Sequence, residues 1–360
     1  MEGSRLMKFP VWVHHVDHYK DSELAPDDSQ HPFTEIYGKA ADGLHLQATW
    51  DPHAMAISSI EDVIATDKMH ATANGIEWKP WVVARGSDGS GGDGYARDEG
   101  RLFGEIAKAG AGPGEKPIVI IDLEPYHFGG IDNPQFWRGD LGAGPEQVRA
   151  LITAFGATAG PGAEIWIAID PREQHFDGVS AGEWFLSPIV TRVLPMTYFN
   201  DWLSRQATPE EARSFIANGN KTFGDSFGIE PGRIAHILGA PGAAGVLQDA
   251  INFCHELGNL KPSIWQRANL TQENADAIAE MPDPWIRQEV IGAPGTPIVD
   301  PDMIGQHIHG AGEIHVEKDV MAEVGDDLKS LEDLLARIER DGGDAIALAS
   351  RLRVKLGVDE

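Results

Sequence analysis

Short apolar runs recur along the chain at Pro10–Val16, Leu44–Trp50, Trp78–Ala84, Pro117–Leu123, Glu164–Ile169, Val190–Tyr198, Ile234–Gly239 and Pro262–Gln266. Most are continuously apolar rather than alternating, as in Ile118-Val119-Ile120-Ile121 and Ile165-Trp166-Ile167-Ala168-Ile169. Continuous apolar strands belong to a sheet covered on both faces. Each run is followed by Gly, Asp or Pro and then a stretch with helical spacing, so the pattern predicts parallel βαβ units. The runs start about 36 residues apart, and eight such units predict a (β/α)8 barrel. Connecting helices are expected at Ile60–Ala73, Tyr95–Ala109, Pro145–Gly156 and Pro209–Asn218, the last with Thr208 as N-cap.

The pattern changes near Met281. We read residues 9–281 as the barrel, 282–305 as a Pro- and Gly-rich linker and 306–360 as a tail. In the tail, 306–317 reads as two short strands about a Gly-Ala-Gly turn. Residues 318–340 read as a helix, in which Val324, Leu328, Leu331, Leu335 and Ile338 step by four and three. That heptad seam predicts a homo-oligomer, with a trimer as one form, or docking to a larger assembly. A single amphipathic helix lying on the barrel is the other reading.

Composition narrows the function. The 56 acidic residues against 29 Lys and Arg give a net charge of −27, which disfavours nucleic acid and anionic membrane partners. No apolar run reaches the roughly 18 residues of a membrane span. The start carries no signal-peptide core, so Sec export is not expected. Cys254 is the single cysteine; it rules out a disulfide framework and reads as core. The Gly-rich Gly86–Gly94 lacks a Lys-Ser/Thr ending and reads as a loop at the barrel mouth. His14 and His15 face opposite ways on a strand, so no catalytic zinc is expected there. No cofactor motif is present. His307 and His309 would share one side of a strand and form a weak metal candidate in an oligomer.

Active sites of this fold lie at the C-terminal strand ends. These deliver Asp17, Trp50 with Asp51, Arg85, Asp122 with Glu124 and Tyr126, Asp170, Met196 with Tyr198, and Trp265 with Gln266. Asp122 and Glu124 are two apart on a strand and point to one side with Ile118 and Ile120. Two close carboxylates beside apolar side chains should raise the pKa of one, as a general acid requires. Carboxylate pairs cleave glycosidic bonds, and Trp and Tyr offer flat faces to sugar rings.

The segment Ile118–Glu124 resembles the fourth-strand D-x-E motif of glycoside hydrolase families 25 and 18. Tyr95–Ala109 is similar to the helix preceding that motif in family 25 muramidases. Ser263-Ile264-Trp265-Gln266 resembles the last strand of family 25, and Pro195-Met196-Thr197-Tyr198 resembles the sixth strand of family 18. The resemblance implies a glycoside hydrolase cleaving an N-acetylhexosamine-containing polymer, peptidoglycan first and chitin-like glycan second. It makes Glu124 the general acid, Asp122 its orienting or polarising partner and Tyr198 the acetamido contact. Asp17, Trp50, Asp51, Arg85, Tyr126, Asp170, Met196, Trp265 and Gln266 are its expected substrate-binding residues. Pro117 and Ile120 stand where family 18 has earlier acids. A non-catalytic glycan-binding or structural barrel in a phage tail or other surface assembly is the alternative. The tail fits a virion protein released by lysis; a cellular origin would place the chain in the cytoplasm.

The heptad reading is checked by light scattering at micromolar concentration. The intact chain is expected to give more than one copy per particle, and Leu331→Asp is expected to reduce that number.

Overall fold

The computed structural model describes residues 7–13, 33–47, 59–64, 68–73, 76–128, 131–239, 243–265 and 270–285. Eight parallel strands form the central sheet: β1 (Phe9–Val13), β2 (Phe33–Asp42), β3 (Glu77–Val83), β4 (Ile118–Leu123), β5 (Glu164–Ile169), β6 (Val190–Thr197), β7 (Ile237–Gly239) and β8 (Ser263–Trp265). Each pairs with the next in sequence, and the Val11–Ile264 register joins β1 to β8. The sheet is therefore closed, and the chain is a (β/α)8 barrel. The principal described helices are α1 (Gly94–Gly110), α2 (Pro145–Ala159), α3 (Pro209–Phe227), α4 (Ala244–Glu256) and α5 (Gln272–Ala279).

Seven of the eight predicted runs overlap barrel strands. The second does not: the barrel strand is Phe33–Asp42, and the described part of the expected Leu44–Trp50, residues 44–47, is not one. Gly43 turns the chain with φ +58°, a conformation glycine adopts without strain. His45–Leu46 then folds back antiparallel on Ala41–Asp42. The Asp-Gly pair is a hairpin signal that outranks the apolar run after it. The helix expected over Ile60–Ala73 is described as two short pieces, Ile60–Val63 and Met69–Ala73. α3 begins as predicted, with the Thr208 hydroxyl accepting from the Glu211 N–H and the Glu211 carboxylate returning the cap.

Strand parity sorts the side chains into two cores. Val119, Ile121 and Leu123 of β4 face outward with Val82, Ile165 and Ile167, against Phe103, Leu151 and Phe155 of the helices. Trp12, Tyr37, Trp81, Ile120, Trp166, Leu194 and Ile237 face inward. The inner rings meet edge to face: Trp12 is 5.2 Å from Tyr37 and 5.6 Å from Trp81, centroid to centroid. Edge-to-face contact suits the ring quadrupoles and adds to the area buried. Two of the inner indole N–H groups donate to strand acceptors, Trp12 to the Ser263 hydroxyl at 2.8 Å and Trp81 to the Val13 carbonyl at 3.0 Å. At the N-terminal end Arg192 lies 4.0 Å and Lys79 5.7 Å from the Trp166 ring, with Glu35 3.4 Å from Lys79.

The barrel packing continues past the expected boundary near Met281. Met7 N–H donates to the Met281 carbonyl at 3.0 Å, and Trp285 is buried with its indole N–H on the Asn259 carbonyl at 3.0 Å. Cys254 is buried in α4, as its apolar neighbours suggested. The expected linker beyond Trp285, the tail, its heptad seam and His307 and His309 lie outside the described residues.

α1 and α2 approach closely through Gly100 and Gly104. A Cβ on Gly100 would stand 2.2 Å from the Leu151 carbonyl oxygen, a backbone atom that cannot swing away. Helix propensity favours alanine over glycine by about 1 kcal/mol, so an open site would gain from the change. Gly100→Ala is instead expected to lower the unfolding free energy by about 1–3 kcal/mol, the usual cost of overpacking, as read by urea denaturation.

Candidate active site

β4 carries the two central carboxylates to the barrel mouth. Its inward positions are Ile118, Ile120 and Asp122, with Glu124 next beyond the strand end. Asp122 and Glu124 line a cavity of about 190 Å³ together with Trp12, Lys39, Trp81, Val83, Gln135, Phe136, Ala168, Met196, Tyr198, Ile237 and Trp265. The floor is the top of the aromatic core. One wall is the Tyr198–Trp265 pair, stacked with centroids 6.0 Å apart and planes 25° apart. The opposite rim comes from the excursion after β4. There Trp137 N–H donates to the Glu124 carbonyl at 3.0 Å, and Tyr126 N–H donates to the Trp137 carbonyl at 3.2 Å. Trp137 is buried against Trp184, which holds Gln135 and Phe136 over the mouth. Residues 86–94 do not line the cavity.

Burial governs the charges. Removal from water pushes the Asp122 carboxyl up to about 7; the Lys39 ammonium works against this rise and the Asp42 carboxylate adds to it. Glu124 is raised well above the ordinary carboxylate range, first by burial and then by Asp122 and Asp170. The Tyr198 hydroxyl is likewise pushed well above its usual value, by burial and then by Asp122 and Glu124. Burial thus favours the protonated forms of Glu124 and Tyr198. The Asp122 Oδ1 atom is buried and has no hydrogen-bond partner among the described residues. An orphaned buried acceptor is costly and marks a place where a bound molecule would donate.

The structure brings Asp122, Glu124, Met196, Tyr198 and Trp265 to one cavity. Three other expected residues do not line it. Asp170 is buried and engaged by Arg172, accepting from its backbone N–H at 2.9 Å, its Nε at 2.9 Å and its Nη2 at 2.5 Å. Its charge adds to the rise of Glu124 and Tyr198. Arg85 donates from Nε and Nη2 to Asp42 at 3.0 and 2.5 Å. The Tyr126 ring packs outside the cavity on Arg138, 5.0 Å from its guanidinium carbon, and on His127. Asp17, Trp50, Asp51 and Gln266 lie outside the described residues.

Five residues escaped the sequence reading. Lys39 and Asp42 lie on the strand that was misplaced; the alternation of Glu35, Tyr37 and Lys39 against Ile36 was the available signal. Gln135 and Phe136 sit in a loop with no local signature. Glu99 figured only as part of a helix, yet it is wholly buried and accepts the N–H groups of Arg85 and Gly86, both at 2.8 Å. It thereby fixes the exit of β3.

Among the described residues, no group of three or more His, Cys, Asp or Glu is placed to hold a metal ion. No described helix is long and apolar enough to cross a membrane.

The chain matches no protein-family profile and no curated protein sequence. It is similar in structure to a GH18 chitinase from Pseudoalteromonas aurantia, with a TM-score of 0.48 and 14% identity over 75% of this chain and 97% of that one. A class V chitinase from Pseudomonas fluorescens Pf-5 gives 0.49 and 10% over 75% and 98%. The Bacillus cereus spore cortex-lytic enzyme SleL gives 0.45 and 11% over 77% and 75%. The family 25 and phage-tail parts of the sequence reading have no counterpart in these names.

The Glu99 carboxyl, raised by burial from 4.5 to about 8, yields a pH prediction. Between those values the folded chain keeps a proton that the unfolded chain releases. Stability is therefore greatest near the acid end of this window and falls as pH rises through it. Asp122 and Glu124 act with the same sign. Urea unfolding at pH 5, 6.5 and 8 is expected to show the decline, and Glu99→Gln is expected to flatten it.

The two carboxyl groups of the cavity, Asp122 and Glu124, share that sign and sit beside a stacked aromatic pair at the mouth of a (β/α)8 barrel.

Proposed function

We propose that the chain is a glycoside hydrolase that cleaves an N-acetylhexosamine-containing polymer, either peptidoglycan or a chitin-like glycan. One observation carries this reading: Asp122 and Glu124 face the same cavity as the stacked Tyr198–Trp265 pair, where burial disfavours the charged form of Glu124. Flat apolar rings hold the faces of a sugar, and a protonated carboxyl at their edge can donate to a glycosidic oxygen.

In this mechanism the sugar ring lies against Trp265, and Glu124 passes its proton to the leaving oxygen as the C–O bond breaks. Asp122 stands beside the developing positive charge, its Oδ1 able to accept from the substrate acetamido N–H. That contact would orient the acetamido carbonyl to attack the anomeric carbon. The Tyr198 phenol, protonated throughout, donates to the same acetamido group. Water then adds at the anomeric carbon, with the Glu124 carboxylate taking its proton.

The test uses colloidal chitin, chitooligosaccharides and peptidoglycan as substrates for the intact chain. Glu124→Gln is expected to lower turnover by roughly 10²–10⁴-fold, the usual contribution of general acid catalysis, with an unchanged circular dichroism spectrum. A loss below about 10-fold removes Glu124 from the role. Absence of turnover on all three substrates, with glycan binding retained, makes the barrel a lectin-like module instead.

A further inference from the structure

Lys39 is a lysine inside a barrel. Its side chain is 5% exposed, and its ammonium lies 3.2 Å from Asp42 Oδ2 and 5.2 Å from the centroid of the Trp81 ring. Long charged side chains are almost never so fully buried unless paired, and an ammonium is more strongly hydrated than a guanidinium, so its burial is costly.

The backbone is shaped to place it. Residues 39 and 42 are three apart, and on a regular strand they would face opposite sides. Here the pairing of β2 with β3 slips by one residue: Lys39 is opposite Trp81, and Ala41 is opposite Val82. The extra residue is Ala40, whose small side chain is buried toward the helices with that of Ala41. A bulge of this kind resets the facing of everything beyond it. It brings Asp42 to the same side as Lys39, where the two pair. Asp42 also binds Arg85, so its carboxylate bridges two cations. Continuing across the sheet, Asp42 is in register with Val83 and Val83 with Asp122. Lys39, Trp81 and Ile120 form the row below. The lysine therefore rises from one layer beneath Asp122 into the cavity that both line.

We infer that Lys39 is a positioning residue of the active site. Its ammonium, anchored by Asp42 against Trp81, supplies the positive charge opposite which the Asp122 carboxylate is set. Described charged and titratable groups facing it are Asp42 on its own strand, with Arg85 bound to that carboxylate, and Asp122, Glu124 and Tyr198 in the shared cavity. The cavity-lining members of this set are Asp122, Glu124 and Tyr198, so Lys39 is the sole cation among the described lining residues. Asp42 sets one negative charge against the two cations it binds, Lys39 and Arg85, so the trio carries a net positive charge toward the pair on β4. The ammonium acts through Asp122, and the inference rests on the hydrolase reading only for what Asp122 does to a sugar.

The experiment measures the charge on Asp122 directly and requires no substrate. The full chain is labelled with carbon-13 at the aspartate carboxyls, the Asp122 signal is identified from its loss in Asp122→Asn, and the carboxyl shifts are followed with pH. Lys39→Met is expected to raise the Asp122 midpoint by about one pH unit or more, the usual effect of removing a nearby opposite charge. Lys39→Arg, which keeps the charge, is expected to stay close to the wild type. Lys39→Gln, which removes the charge and keeps a polar end, is expected to give the same rise and decides the question if Lys39→Met does not fold. A midpoint unmoved in whichever of these two variants folds overturns the inference. A chain with no hydrolytic activity but the predicted shifts would refute the hydrolase reading and leave the role of Lys39 intact.

Discussion

Edge-to-face packing of indole and phenol rings inside the barrel is the constraint on which the rest depends. Trp12, Tyr37, Trp81 and Trp166 fill the lower interior, and the three indole N–H groups reach Ser263, the Val13 carbonyl and Glu164 on the barrel strands. A barrel of eight strands has just enough room for side chains to close it. Because these rings close the lower half, the space that remains lies above them, at the C-terminal strand ends. The same parity that sends Ile120 into the ring cluster sends Asp122 and Glu124 into that space.

Placing two carboxyl groups on an aromatic floor sets their electrostatics. Water is excluded on one side by Trp81 and Trp12 and on another by the Tyr198–Trp265 stack. The charged form of each acid is disfavoured there. Glu124 has the Asp122 and Asp170 charges adding to its rise, and Asp122 has the Lys39 ammonium working against its own. Two carboxyl groups only two positions apart thus sit in different electrostatic surroundings.

Most of the barrel was legible because its signal is local. A run such as Ile118–Leu123 states its own parity, and repetition of strand and helix states the closure. The second strand was not legible in that way. Phe33–Asp42 contains Glu35, Lys39 and Asp42, and it reads as polar until the barrel supplies partners for each charge. The carboxylates of β4 were legible since they end the most apolar run in the chain. Lys39, Glu99, Gln135 and Phe136 were not, because each acquires its role from a contact distant in sequence: Glu99 from the Arg85 and Gly86 amides, Phe136 from the anchoring of Trp137 on Trp184. Asp170 shows the converse. It ends an apolar strand as Asp122 does, but Arg172 two residues on engages it first.

The filled interior also bears on how such a site could change over generations. In many barrels the reach of the site is adjusted by lengthening or exchanging the loops at the rim. Here the floor of the cavity is made by Trp12, Trp81 and Met196, side chains borne on the strands themselves. A shorter side chain at any of these would deepen the cavity downward along the barrel axis while leaving the rim untouched. Depth and rim are thus separate heritable traits of this molecule, one written in three strand positions and the other in the loops.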